Sequence, residues 1–391
     1  MSFGSVFVLD VQQGNSQLII TPTGEVVVVD CHLAAGRARP ATVDALEELA
    51  KARRLPVDID VLCITHPDSD HYSGVVELLK WLEAQGGIVK RLILYAPLPR
   101  ELAAYVSQSR KQLAVAKAQP GARIPVELGR LDRKTRLFME LYQELIKIRG
   151  KLEPGRYARA SNYLQFVNFE SSTVHVIGPT SSRVDQVTER LWRDVVDSWT
   201  RKKHSVPSAN EVSVILWITI DKCRILLTGD ASAEGLIEAM EAYEEQQGRN
   251  SDGLRCDVVV AAHHGARTGS SIDFWRKSLS DGGFVAISSG SHRGYGHPHQ
   301  ETIDDIRNSC SGVTIGCTNK CGLVREINET VLSVRVETSF LDGLLEFNLG
   351  QNGTVDDTTY QGKLTYIVDE QGAVEFVPEV MPITQCKNHC I

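Results

Sequence analysis

The chain has 391 residues, 42% hydrophobic and 23% charged, enough to bury a large core in one big domain or two ordinary ones. No apolar run approaches the roughly 18 residues of a membrane span, and the N-terminus MSFGSVFVLDV lacks a basic n-region and a cleavage site, so the expected compartment is the cytoplasm. Nine cysteines are too few for a disulfide scaffold, and a net charge of -7 argues against indiscriminate nucleic-acid binding.

In chain order, SVFVLDV, SQLIITP and EVVVVDC read as a meander of strands broken by the turn signal QQGNS. Residues 40–54 carry helical apolar spacing at Val43, Leu46 and Leu49, and IDVLCIT is a short apolar run typical of a strand covered on both faces. HPDSDH follows at once, then the helix GVVELLKWLEAQGG and the buried strand RLILYAPL. Residues 90–160 hold 16 Lys/Arg against 6 Asp/Glu, a charge of +10 against -17 for the rest of the chain. Helical spacing at Leu137, Leu141, Leu145 and Ile148 predicts an inserted basic helical cap over about 98–160. Strands return at YLQFVNF and TVHVIGP, SVILWITI and RILLTGD read as a hairpin across DKC, and DVVVAAHHG and GFVAISSG run into His-rich loops. Beyond about residue 310, short β-like segments with Gly and Asn turns, such as GKLTYIVDEQGAVEFVP, predict a small C-terminal β appendage over 311–391.

His66, Asp68, Asp70 and His71 lie on the loop leaving the carboxyl end of a strand, where α/β folds assemble their chemistry. Unpaired carboxylates are costly to bury and imidazoles want partners, so four such groups in six residues point to a cation. Capping of the next helix by Asp68 or Asp70 is the bland alternative. Three further strand ends carry Asp230 in LLTGD, His263 and His264 in AAHHG, and His297 in GYGHP; singly, Asp230 explains as well as a helix cap and the histidines as ordinary loop residues. Together they predict a two-ion site of zinc or manganese that activates a water and stabilises charge on the attacked and leaving oxygens, with Asp70, Asp230 and His264 carrying the chemistry. Arg267, Thr268, Ser270 and Ser271 follow the histidines and are candidates to hold phosphate oxygens. Tyr295, with His292 and Arg293, surrounds His297 as a candidate substrate contact.

HPDSDH, LLTGD, HHGARTGSS, GYGHP and LDVQQGNS, in that order over roughly residues 4–310, resemble the metallo-β-lactamase-type domain of the ComEC/Rec2 competence proteins and its soluble relatives. The resemblance implies an α/β fold, the metallo-β-lactamase αββα sandwich, as a hydrolase domain over residues 1–310. It implies His66 and Asp68 on one metal, Asp70 and His71 on the other, and Asp230 between them. One of His263 and His264 would join the first metal and His297 the second. The sequence departs from the wider superfamily in two ways: Asp68 stands where HxHxDH has its second His, and the histidine expected before SVILWITI is missing, with Asn210 near its place as a further candidate substrate contact.

The branch that the motifs resemble points to phosphodiesters, hence to a nuclease or nucleotide phosphodiesterase acting on DNA, RNA or a nucleotide, by analogy in defence against foreign nucleic acid. Clustered Lys/Arg with Tyr95, Tyr105, Tyr142 and Tyr157 in the basic stretch suits a phosphate backbone and stacked bases, and solvated helix faces explain it nearly as well. A small-molecule ester or lactone hydrolase, and a non-catalytic metal- or partner-binding module, are the competing classes; a protein partner or a homo-oligomer fits either. Cys317 with Cys321 and Cys386 with Cys390 form two CxxxC pairs, a candidate structural zinc site, with free thiols as the alternative.

Overall fold

Short apolar runs separated by turn residues fold here into two stacked sheets. The computed structural model describes residues 4–53, 57–66, 68–94, 133–152, 156–159, 166–185, 209–247, 254–290, 295–318, 345–349, 364–368 and 374–378. Strands β1 (Gly4–Val8), β2 (Gln17–Ile20) and β3 (Val26–Val29) form the expected antiparallel meander. The chain then crosses over through helix α1 (Ala41–Arg53) to β4 (Val61–Ile64), parallel to β3. The turn α2 (Ser69–Tyr72) and helix α3 (Val75–Ala84) lead to β5 (Leu92–Leu94), and helix α4 (Arg133–Lys151) to the edge strand β6 (Tyr157–Arg159), both strands again parallel.

The second sheet takes β7 (Phe166–Asn168), β8 (Ser172–Gly178) and the hairpin of β9 (Ile215–Ile220) and β10 (Cys223–Leu227). Helix α5 (Ala233–Gln247), β11 (Cys256–Val260), helix α6 (Ile272–Ser278), β12 (Leu279–Ile287), helix α7 (Gln300–Ser309) and β13 (Thr314–Cys317) complete it, in the order β13-β12-β11-β10-β9-β8-β7. The last strands, β14 (Leu345–Leu349), β15 (Leu364–Val368) and β16 (Val374–Pro378), extend the first sheet, because β14 pairs antiparallel with β1.

Side chains alternate across a strand, and the second sheet uses both faces. Leu216, Ile218, Ile225, Leu227, Val258, Val260, Phe284 and Ala286 share one core with Val6, Val8 and Leu18 of the first sheet. The intervening Trp217, Leu226, Val259, Val285 and Ile287 meet Leu236, Met240, Phe274, Trp275, Ile303 and Ile306 of α5, α6 and α7. The core of the first sheet takes in Leu46 of α1, Leu78 and Leu82 of α3, and Leu141 and Leu145 of α4. The result is four layers, helices outside and two sheets within.

Two expectations change. Leu141 and Leu145 of α4 are buried in the core, and β6 hydrogen-bonds to β5, so residues 133–151 and 157–159 of the expected cap are built into the outer helical layer and the sheet edge. Residues 95–132 lie outside the described residues. Similarly, residues 314–317 pair parallel with β12, so this part of the expected appendage is a strand of the second sheet.

Phe284 is fully buried between the sheets. Truncation to Ala is expected to cost about 3–5 kcal/mol in urea unfolding; a loss under about 1 kcal/mol would place it outside a packed core.

Candidate metal centre

The carboxyl ends of β3, β4, β10, β11 and β12 come together, and each runs within three residues into a polar side chain: Asp30, His66, Asp230, His263 and Ser288. After β4, Asn15 N–H donates to the Asp70 carbonyl and Cys31 N–H to the His71 carbonyl, tying the 68–72 turn to the ends of β1 and β3. Asp68 sits at the N-cap of α2 with no side-chain capping bond, and the helix after β10 is capped by Ser232, whose Oγ accepts from Gly235 N. Neither Asp68 nor Asp230 therefore has the capping role that would explain it without a cation.

After β11 the chain turns through three successive left-handed residues: His263 at φ 51°, His264 at φ 58° and Gly265 at φ 79°. For the two histidines this conformation costs about 1–3 kcal/mol each. His263 N–H donates to the Gly229 carbonyl, Ala266 N–H to the His263 carbonyl, and His264 Nδ1 to the Ser288 carbonyl at 2.9 Å, holding the turn.

Asp70, His71, Asp230 and His264 each offer a ligand atom, all within 4.8 Å of one another. His71 Nε2 lies 3.1 Å from Asp230 Oδ1, close enough for attraction but outside hydrogen-bond angles, and His264 Nε2 lies 3.4 Å from Asp70 Oδ2. Three rings stand about the other carboxylate oxygen: His66 and His264 Nε2 are each 3.7 Å and His263 Nε2 3.9 Å from Asp230 Oδ2, with Asp68 Oδ2 3.8 Å from His66 Nε2. Nε2 of His66, His71 and His264 are buried without a hydrogen-bond partner, an arrangement that is costly unless a cation takes up the lone pairs. Imidazole nitrogens and carboxylate oxygens are a suitable donor set for zinc or manganese. The residues present fit a divalent ion.

Charge follows from the same contacts. Burial works against a charged ring at His71, but the carboxylates of Asp230 and Asp30 outweigh it and raise its pKa well above the usual value. Burial is likewise outweighed at His264, by Asp230 and Asp70, while at His66 burial and the neighbouring His71 push the value down to about 3. Asp230 is held well below the carboxylate range despite burial, by the rings of His71, His264 and His66.

Several supporting residues were not singled out in the sequence. Asp30, fully buried and at φ 58°, accepts from His71 Nδ1 at 2.6 Å, Thr65 Oγ1 at 2.7 Å and Thr65 N at 2.8 Å. It ends the run VVVVD just as Asp230 ends LLTGD, a parallel visible in the sequence. Asn15 Nδ2 donates to Asp230 Oδ1 at 3.3 Å, and Gln13 Nε2 lies 3.1 Å from His297 Nδ1. Both belong to LDVQQGNS, a turn signal and a motif of the resemblance that by itself points to neither side chain.

The other candidates divide. Asn210 Nδ2 is 3.3 Å from His263 Nδ1. Tyr295, 58% exposed, stacks on His297 with ring centroids 5.6 Å apart. Arg267 and Thr268 are exposed on the loop after the histidines. Ser270 is turned inward, contrary to its expected contact with substrate, because its Oγ accepts from Trp275 Nε1 at 3.1 Å in the core; Ser271 caps α6. Cys317 is buried at the end of β13, and Cys321, Cys386, Cys390, His292 and Arg293 lie outside the described residues.

The sequence profile of the metallo-beta-lactamase superfamily matches residues 9–270. The chain belongs to the metallo-beta-lactamase superfamily. Its four layers are the αββα sandwich of that superfamily, a hydrolase fold with divalent metal ions, here with a candidate metal site of Asp70, His71, Asp230 and His264. ComE operon protein 3 of Bacillus subtilis (strain 168) is 28% identical over 96 residues, which take in 25% of this chain and 11% of that protein. Among solved structures, unliganded yeast PDE1 matches at 13% identity over 81% of this chain and 98% of its own, TM-score 0.41. Zn(2+)-bound PqqB from Methylobacterium extorquens matches at 11% over 80% and 97%, TM-score 0.39. A diphosphatase of the PhnP family matches at 12% over 89% and 99%, TM-score 0.37. Likenesses this distant carry no weight on substrate. No helix among the described residues is long and apolar enough to cross a membrane.

Two predictions follow the geometry of this superfamily member. Asp30→Asn removes the carboxylate that orients His71 and is expected to weaken divalent-ion binding about 10- to 100-fold in equilibrium dialysis, with circular dichroism unchanged. Without an ion, protonated His71 and His264, whose values are raised, stabilise the fold below about pH 6.5, and that contribution is lost as pH rises through their raised values. Asp70 and Asp230, whose values are lowered, contribute above about pH 4 and lose this only in strong acid. A cation must displace the ring protons, so the Tm gain from saturating zinc or manganese is expected to be larger at about pH 8 than at about pH 6; an equal or smaller gain would contradict the assignment.

Proposed function

We propose that the chain is a two-metal phosphodiesterase acting on a nucleic acid or nucleotide, with Asp230 and the histidines around it as the residues that would hold the divalent ions. The observation that carries this reading is the crowd of nitrogen donors on both oxygens of one buried carboxylate: His71 beside Asp230 Oδ1, and His66, His263 and His264 about Oδ2, with Asp68 next to His66 and Asp70 next to His264. Divalent ions held there would lower the pKa of a bound water and would set positive charge against the attacked and leaving oxygens.

The chain's own part is positioning. Asp30 and the Ser288 carbonyl hold the His71 and His264 rings by their Nδ1 atoms, leaving both Nε2 atoms toward the carboxylates. Asn15 holds Asp230 Oδ1, and Ser213 Oγ accepts from Asp230 N at 2.9 Å, so this residue is fixed at its carboxylate and at its backbone. Arg267, exposed beside the histidine turn and 4.0 Å from Glu301, offers its guanidinium to a phosphate oxygen, and Tyr295, 58% exposed, offers aromatic surface to a base. The charge of +10 over residues 90–160 in a chain of net -7 supplies attraction for a polyanion, and the likeness of 96 residues to ComE operon protein 3 agrees with the motif resemblance.

Labelled single- and double-stranded DNA, RNA and cyclic dinucleotides, incubated with manganese, zinc or chelator, test the reading. Asp70→Ala and Asp230→Ala are expected to abolish cleavage while the fold survives; full activity in both would sink it. Replacing Arg130, Arg133, Lys134 and Arg136 with Gln is expected to slow cleavage of polynucleotides and flatten its salt dependence. An enzyme of small esters or lactones would be indifferent to that change, and a chain that binds ions without cleaving any of these substrates would be a binding module.

A further inference from the structure

The four buried histidines of the centre differ in which ring nitrogen their surroundings protonate. His71 Nδ1 faces the Asp30 carboxylate and His264 Nδ1 the Ser288 carbonyl; both partners accept only, so both rings donate from Nδ1. His66 Nδ1 lies 3.1 Å from Thr65 Oγ1, whose own proton goes to Asp30 Oδ2, so this ring also donates from Nδ1. In each case Nε2 is the nitrogen with a lone pair to give, and these three Nε2 atoms are the buried ones without partners.

His297 is arranged the other way. Its Nδ1 lies 3.1 Å from the Gln13 side chain, whose Oε1 accepts from Gly290 N at 3.4 Å. That second bond orients the amide: with Oε1 turned to Gly290, the group facing His297 is the NH2, a donor only. Nδ1 therefore accepts, and the ring proton sits on Nε2. The contact between the two loops is tight, since a Cβ on Gly290 would stand 2.3 Å from Gln13 N and 2.4 Å from Gln12 C. The His297 carbonyl accepts from Ser289 Oγ at 2.9 Å, and the ring lies nearly parallel to those of His264 and Tyr295, with centroids at 6.1 and 5.6 Å. The ring is thus placed beside His263 and His264, with its lone pair on the nitrogen that faces Gln13.

We infer that His297 is a hydrogen-bond donor of this site and not a metal ligand, presenting Nε2–H to a phosphoryl oxygen of the substrate, with Gln13 as the positioning residue that selects its tautomer. The inference rests on the phosphodiester reading for its substrate, and reverses the ligand role implied for His297 by the family resemblance.

The test uses the full chain loaded with zinc. Ion content by mass spectrometry is expected to be unchanged in His297→Phe and reduced in His264→Ala. Two-bond 1H–15N spectra of the histidine rings are expected to show His297 protonated on Nε2, against Nδ1 for His66, His71 and His264. Gln13→Glu replaces the donor with an acceptor and is expected to move the His297 proton to Nδ1, a change that a merely structural contact would not produce. Hydrolysis of bis(p-nitrophenyl) phosphate and affinity for inorganic phosphate are expected to fall about 10- to 100-fold in His297→Phe and Gln13→Glu, with partial rescue in His297→Gln, which keeps a donor. Loss of an ion in His297→Phe, or a wild-type spectrum with His297 protonated on Nδ1, overturns the inference. If the wild type leaves the ester intact, the phosphodiester reading falls, while ion content, ring spectra and phosphate affinity still decide the role of His297.

Discussion

A carboxylate that is 3% exposed must find positive charge or lose its own, and Asp230 is the group around which this molecule is arranged. Three imidazoles stand within 3.7 Å of its oxygens, and each belongs to a different part of the chain or a different side of the same turn. Their attraction outweighs the burial that would otherwise neutralise it. The same charge is what makes the place suitable for a divalent ion, because an ion would replace several partial partners with one full one.

The rest of the site bears the cost of bringing strand ends this close. His263 and His264 adopt left-handed backbone that side chains disfavour, and Gly229, at φ 53°, leaves no room for a Cβ, which would meet Ser213 Oγ at 2.3 Å. Gly14 plays a similar part, with the Asp70 carbonyl 2.7 Å from where its Cβ would be. These positions pack polar loops against each other at the mouth of a rigid double sheet, so the ligand atoms are placed by the core beneath them and not by the loops alone.

Outside the ligands, a layer of acceptors and donors sorts the histidines. Asp30, Thr65 and Ser288 receive protons from the rings, whereas Gln13 gives one. A set of four chemically identical side chains thereby acquires two kinds of behaviour, lone pairs toward the carboxylates from three of them and an N–H from the fourth.

Much of this was legible from residue pattern because the cause is local. Period-two alternation and continuous apolar runs set β1 to β5 and β8 to β12, and polar residues ending those runs marked His66 to His71, Asp230, His263, His264 and His297 as strand-end groups. Helical spacing at Leu141, Leu145 and Ile148 was equally plain, yet whether that face covers a separate cap or the main core depends on what it packs against, and Leu141 and Leu145 pack into the core. Ser270 looked like a loop hydroxyl open to substrate until Trp275 claimed it from the next turn. The same limit governs the histidines. The partner of His71 is 41 residues away and that of His297 is 284 residues away, and no local spacing encodes such pairs. The sequence by itself therefore determined which residues reach the end of the sheets; only the tertiary structure decided which nitrogen of each ring faces inward, because a ring's tautomer is set by the atom it meets and not by its neighbours in the chain.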